Sequence, residues 1–267
     1  MNLLTLDTCD SRGSVSILRD DQVLQTVEHD TMEDYSIWLL PAIDCALQAS
    51  GLSFSDIDVY VAASGPGSFT GVRVGLTTVK AWAEVTGKPI VGVSRLEALA
   101  AQAAPSAGEF VAAFTNAQRK QIFGALYRRS SDSSASGNGV GHALTRIGEE
   151  SVISPEEFLA WAVENSGGAP LRWISTDPEM LAETEVWAAR QKSGDTRPVD
   201  NATTQSAVNR IESASPILAP AIGNLGYQLA LLKQFVDPLR LDANYVRRSD
   251  AEVSWIDRQE RATKTAG

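Results

Sequence analysis

Two cysteines, two histidines and a shortage of basic side chains set the first limits on this chain. Cys9 and Cys45 are too few for a disulfide framework, and both are expected to be buried free thiols. His29 and His142 stand far apart, so the paired histidines of a hydrolytic or transfer metal site are missing, and a lone histidine reads as a surface residue. Lys and Arg total 23 against 33 Asp and Glu. The resulting formal charge of −10 argues against this chain clamping an RNA backbone by itself. No apolar run approaches the roughly 20 residues of a membrane span, and no signal-peptide pattern opens the sequence. A cytoplasmic protein without membrane contact is the expectation. The rest is ordinary: 43% hydrophobic and 21% charged residues in 267, enough for one sizeable core or two modest ones.

What the sequence does have is a glycine-rich stretch, Ser64-Gly65-Pro66-Gly67-Ser68-Phe69-Thr70-Gly71-Val72-Arg73-Val74-Gly75. Ile57 to Ala63 before it reads as a buried parallel strand, and Val72 to Val85 after it has apolar residues at helical spacing. Ser68 or Thr70 can cap the helix, whose free N–H groups and dipole suit an anion. The loop is therefore either a tight turn or a cradle for an anion or nucleotide phosphate, built from Gly65, Gly67, Ser68, Thr70, Gly71 and Arg73. It is not a P-loop, since Val72-Arg73 follows Gly71 where Lys-Ser/Thr is needed. Nor is it a dinucleotide fingerprint, because Thr70 stands where the third glycine belongs.

Gly65-Pro66-Gly67-Ser68-Phe69-Thr70-Gly71-Val72-Arg73-Val74-Gly75 resembles the signature of the TsaB (YeaZ) family. Three more stretches resemble it in the expected order: Leu3 to Thr8, Leu39-Leu40-Pro41-Ala42-Ile43, and Ile90 to Leu99. The resemblance is strong over about residues 1 to 105 and weak beyond. It implies a non-catalytic subunit of the bacterial machinery that makes threonylcarbamoyladenosine at position 37 of tRNA. The implied partners are the catalytic TsaD subunit and the TsaE ATPase, with a homodimer in isolation and tRNA reached only through the complex. No cofactor of its own is implied; ATP or ADP at the subunit interface is. Tyr35, where histidine is frequent, and Asn116-Ala117-Gln118, where Asp-Ala-Arg is frequent, depart from the family pattern.

Along the chain, Leu3 to Thr8, Ser14 to Leu18 and Val23 to Glu28 read as a strand meander. A helix over about Asp34 to Ser50 ends at Gly51. Strand, glycine loop and second helix follow, then a strand over Ile90 to Ser94 and a helix over Arg95 to Ala104. This order predicts an α/β fold with mixed sheets, the actin-like, ribonuclease-H-like half-fold. Residues 1–105 are expected to form a first subdomain and 106–249 a second, with 250–267 a flexible tail. In the second, Phe110 to Thr115, Ile122 to Tyr127 and Trp173 to Ser175 read as strands, Pro155 to Glu164 and Pro178 to Arg190 as helices. Ser130 to Gly141 reads as a mobile hairpin loop and Ser193 to Gln205 as irregular. A late helix, 217–235, is expected to return to the first subdomain.

The first two helices carry apolar residues on too many sides for one buried stripe. Ile37, Leu40, Ile43 and Leu47, with Trp38 beside them, mark the first; Val72, Leu76, Val79 and Ala83, with Lys80, mark the second. Either other parts of the chain cover them or they form a subunit interface. The family resemblance implies the interface, on which Leu76→Glu separates the subunits without unfolding the chain. A second function class is a stand-alone ATPase or phosphotransferase that uses Asp7 as a metal-facing carboxylate and the Gly65–Gly71 loop as its cradle. Asp7 lacks the following glycines that such a site needs, and reads equally well as a turn or capping residue.

Overall fold

The run Leu3-Leu4-Thr5-Leu6 is buried at every position, as a strand covered on both faces must be. It lies in β1 (Asn2–Asp7), which pairs antiparallel with β2 (Ser14–Arg19), itself antiparallel to β3 (Gln22–Glu28). β4 (Val59–Ala63) joins β1 in parallel, Leu4 opposite Tyr60, and β5 (Ile90–Val93) joins β4, giving the order β3-β2-β1-β4-β5. The computed structural model describes residues 1–30, 32–130, 144–193 and 210–246.

The second sheet repeats this plan. β6 (Phe110–Asn116), β7 (Ile122–Arg129) and β8 (Leu144–Ile153) form an antiparallel meander. β9 (Leu171–Ser175) and β10 (Ile211–Ser213) extend it in parallel, in the order β8-β7-β6-β9-β10. Two mixed sheets of the same topology are the duplicated half-fold of actin-like proteins. β6 shows why the strand is buried on both faces: Phe110, Ala112 and Phe114 enter one apolar cluster, while Val111 and Ala113 enter another. Neither β8 nor β10 is expected from the sequence. β8 alternates only loosely and keeps most of its side chains half-buried or exposed, and β10 is three residues long.

Helices α1 (Tyr35–Ser50) and α2 (Phe69–Thr86) lie on the first sheet. Both stop at left-handed glycines, Gly51 and Gly87, each at φ 68°. α3 (Arg95–Gln102) leads into the second sheet, packing Leu96 and Leu99 with Val111 and Ala113. α4 (Pro155–Asn165) carries a capping box between Ser154 and Glu157 and buries Phe158. The single helix expected over Pro178 to Arg190 is two, α5 (Glu179–Ala182) and α6 (Glu185–Ser193). Thr184 breaks it, because its Oγ1 accepts a hydrogen bond from the Trp187 N–H and caps the second piece.

The last helix, α7 (Ala219–Leu231), packs on β1, β2, β4 and β5 of the first sheet. Gly223 and Gly226 let its backbone rest on Leu18 and Val61. Beyond it, the Val236 N–H donates to the Ile90 carbonyl and the Asn244 N–H to that of Ser64. Residues 219–246 are therefore built onto the first sheet. The predicted hairpin loop, irregular stretch and tail fall almost wholly outside the described residues, as does His142.

Candidate functional site

The glycine loop is a packing device. Its concave side is filled by the backbone that leaves β1: a Cβ on Gly67 would stand 2.2 Å from the Cys9 carbonyl oxygen, and one on Gly71 2.1 Å from that of Thr8. Hydrogen bonds lock this approach. The Ser68 N–H donates to the Cys9 carbonyl at 2.7 Å, and the Thr8 hydroxyl donates to the Gly71 carbonyl at 2.6 Å. The Gly65 carbonyl accepts from the Arg95 N–H at 2.7 Å. These contacts make the loop a tight turn on its inner side, and Pro66, Gly67 and Ser68 line the cleft between the two halves on its outer side. Ser68, rather than Thr70, caps α2 by accepting from the Gly71 N–H. Thr70 is exposed on the first turn of α2, and Arg73 sits a turn further along on the outer surface.

Asp7 is fully buried at the end of β1. Its carboxylate accepts from the Cys9 N–H at 3.0 Å and from Arg95 Nε at 3.3 Å. The same guanidinium donates from Nη2 to Asp10 at 3.0 Å and is itself only 2% exposed. Burial opposes the Arg95 charge, but Asp7 and Asp10 outweigh it and push its pKa above the usual arginine value. Burial likewise acts to raise Asp10, yet Arg95 and the Ser11 N–H prevail and hold it below the ordinary aspartate range. Arg95 thus supplies Asp7 with the positive charge that a metal ion would bring in a phosphotransferase. The residues at this pole do not fit a magnesium nucleotide. Among the described residues, no three His, Cys, Asp or Glu side chains are placed to hold a metal ion together.

Around this pole, Tyr35 donates its hydroxyl to the Asp10 carbonyl. Burial and the nearby Asp7 charge push its phenol far above the usual value, so it stays a donor. His29 is buried, not a surface residue: Nδ1 and Nε2 each lie 2.9 Å from a backbone carbonyl, of Ser11 and of Glu33. Cys9 is a buried free thiol whose pKa is raised by burial, whereas Cys45 is exposed, contrary to expectation. Cys45 lies on the α1 side turned from the sheet, a side the apolar pattern did not resolve.

The expected interface residues divide sharply. Trp38, Ile43 and Leu47 of α1 and Val72, Leu76, Val79 and Ala83 of α2 are at most 7% exposed and belong to the chain's own core. They are corrected from interface to core. Lys80 is half-buried and donates to the Leu241 carbonyl at 2.8 Å. Ile37 and Leu40, at 62% and 59% exposed, do face outward. Leu40, with Phe69, Val74, Ala81 and Trp82, lines an open groove of about 660 Å³ between α1 and α2, and Ile37 stands on α1 outside that lining. α7 covers the other face of the sheet and leaves this groove open.

A second cleft, about 620 Å³, lies between the two halves. Asp10, Gly67, Ser68 and Arg95 line one wall, Asn116, Arg119 and Phe123 the other, and Asn244 also borders it. Gln118, Arg119 and Lys120 form the β6–β7 turn in three successive left-handed conformations, φ 64°, 56° and 60°. Each costs on the order of 1 kcal/mol for a residue with a side chain. The Gln118 N–H donates to Asn116 Oδ1 at 2.7 Å and helps hold the turn. Sequence reasoning also missed Glu150. Its buried carboxylate accepts from Ser94, Tyr127 and Asn244, tying the first sheet, the second sheet and the C-terminal segment together.

A family model described as "TsaD: tRNA N6-adenosine threonylcarbamoyltransferase" matches residues 26–170, more than half of the chain. The chain belongs to this family, on its TsaB (YeaZ) side. Two proteins named "tRNA threonylcarbamoyladenosine biosynthesis protein TsaB" are each 33% identical to it. The Bacillus subtilis protein aligns over 48% of this chain and 56% of its own length, the Escherichia coli protein over 58% and 64%. Less than two thirds of either relative is therefore matched. The solved structure of YeaZ from Pseudomonas aeruginosa superposes with a TM-score of 0.64 at 22% identity, covering 91% of this chain and 99% of that one. That likeness shows a shared fold. Within the family, Tyr35 here closes the Asp10 loop, and the Asn116-Ala117-Gln118 segment enters the strained turn.

Proposed function

We propose that this chain is a non-catalytic subunit that holds a TsaD-type transferase in its active arrangement while a threonylcarbamoyl group passes to adenosine 37 of tRNA. The observation that carries the reading is the α1–α2 groove, an apolar surface lined by Leu40, with exposed Ile37 further round α1. An exposed apolar groove flanked by helices suits another helix pair, which buries it as a small bundle. Family membership supports TsaD as that pair's owner, the TsaE ATPase as a further member of the assembly, and the cytoplasm as its place. The chain brings no cofactor of its own; any ATP or ADP would sit where the subunits meet. Support for the non-catalytic role comes from Asp7, whose charge is already matched by Arg95. The acidic surface implied by a formal charge of −10 leaves tRNA contact to the other subunits.

The test is tRNA threonylcarbamoylation by the purified proteins of one organism, leaving out each in turn. Activity that needs this chain, together with no turnover by the chain alone, is the expected result. Full activity without it, or magnesium-ATP hydrolysis by the chain that is lost in Asp7→Ala, overturns the reading.

A further inference from the structure

The groove between α1 and α2 is lined by twelve residues, and Arg73 is the one charged side chain among them. It is held in place before any partner arrives. Its guanidinium lies 3.6 Å from the centre of the Phe69 ring and 5.5 Å from that of Tyr245, and its Nε donates to the Tyr245 hydroxyl at 2.7 Å. Stacking on aromatic faces fixes the plane of the fork at little further entropic cost. Both terminal nitrogens remain for a second group, and no described carboxylate forms an ion pair with them. A helix pair that fills the groove strips water from this charge. Burying a charge without an opposite one is strongly unfavourable, so the occupant has to bring an anion to that point.

We infer that Arg73 decides what docks in the groove: a partner protein whose apolar helices carry an aspartate or glutamate opposite Arg73, in preference to a second copy of this chain. The inference rests on the proposed partner-subunit role and adds the chemistry of the partner. A second copy seated groove to groove brings the same lining, with another arginine and no carboxylate. Asp44 and Glu84 lie outside that lining, and Asp10 and Asp34 border the smaller pocket at its end rather than the groove. Two chains at −10 each also repel at long range, whereas one well-placed carboxylate makes a forked, charge-assisted pair. Arg73 therefore works in both directions, rewarding the acidic partner and penalising self-association.

The experiment compares wild type, Arg73→Met, Arg73→Lys and Tyr245→Phe in two titrations, one against TsaD by calorimetry and one of self-association by sedimentation. Arg73→Met is expected to weaken TsaD binding about tenfold or more while strengthening self-association several-fold. Arg73→Lys, which keeps the charge and loses the fork, falls between, and Tyr245→Phe loosens the clamp with a smaller effect in the same directions. Raised salt weakens TsaD binding by wild type more than by Arg73→Met. Unchanged TsaD affinity in Arg73→Met, or both associations moving together, overturns the inference. Wild type that ignores TsaD altogether overturns the partner role instead, and self-association still tests Arg73. Should Arg73→Met fail to fold, Arg73→Gln makes the same measurement.

Discussion

The Asp7 pole and the α1–α2 groove belong to the same sheet and differ in what satisfies them. At the pole every strong group finds its partner inside the chain: Asp7 and Asp10 share Arg95, and Thr8 and Cys9 fill the glycine loop. At the groove the core is finished beneath, yet Leu40, with Ile37 beyond it on α1, stays out in solvent and no described carboxylate pairs with the terminal nitrogens of Arg73. The pole's charges are matched within the chain, although Cys9, Asp10 and Arg95 border the cleft between the halves, whereas the groove presents an arginine with no described carboxylate.

The comparison breaks most severely at the pole. Arg95→Met leaves the buried Asp7 carboxylate without its cation and is expected to cost about 3–5 kcal/mol in urea unfolding. Leu76→Glu, which puts a charge where the side chain is 4% exposed, is expected to unfold the chain rather than merely separate subunits. A loss below about 1 kcal/mol in either would mean that the pole or the inner helix face is not core. Next in size is the capping contrast. Ser68→Ala is expected to cost about 1 kcal/mol, whereas Asp34→Ala, whose side chain makes no cap bond, costs little. Equal losses in the two would contradict the assignment of the α2 cap.

A smaller effect appears on acidification. Asp10 has a lowered folded pKa, so its contribution is present above the unfolded value of about 3.9 and is lost as pH falls through the folded one. Calorimetric melting temperatures of Asp10→Asn should show a shallower decline below that pH than wild type. An identical slope would remove Asp10 from the pole's stability. Glu150 works in the opposite sense, because burial raises its pKa, and its part of the stability declines as pH rises through that value.

The first sheet was legible because Leu3 to Leu6, with Thr5 its one polar residue, and Val59 to Ala63 are short apolar runs bounded by turn residues. The second was half-legible, since β8 is a polar strand with weak alternation and only its partner β7 declares it. Most of the expected interface residues lie in the chain's own core, and Ile37 and Leu40 face outward. An apolar stripe such as Ile37, Leu40, Ile43 and Leu47 spans the boundary between inner and outer faces, and periodicity cannot say where the sheet edge falls. Nor can it show that Arg95, at the start of α3, reaches back 88 positions to Asp7. Adjacency in sequence groups Arg73 with the glycine loop, while the helix turns it outward onto Phe69 and Tyr245.

The most direct test of the open groove is a calorimetric titration of TsaD with wild type and with the Ile37→Glu, Leu40→Glu double variant. Both substitutions lie on exposed positions, so each is expected to change stability by no more than about 0.5 kcal/mol. The expected result is binding by wild type and its loss in a double variant with an unchanged melting temperature. Equal affinities for the two proteins would contradict the groove as the docking surface.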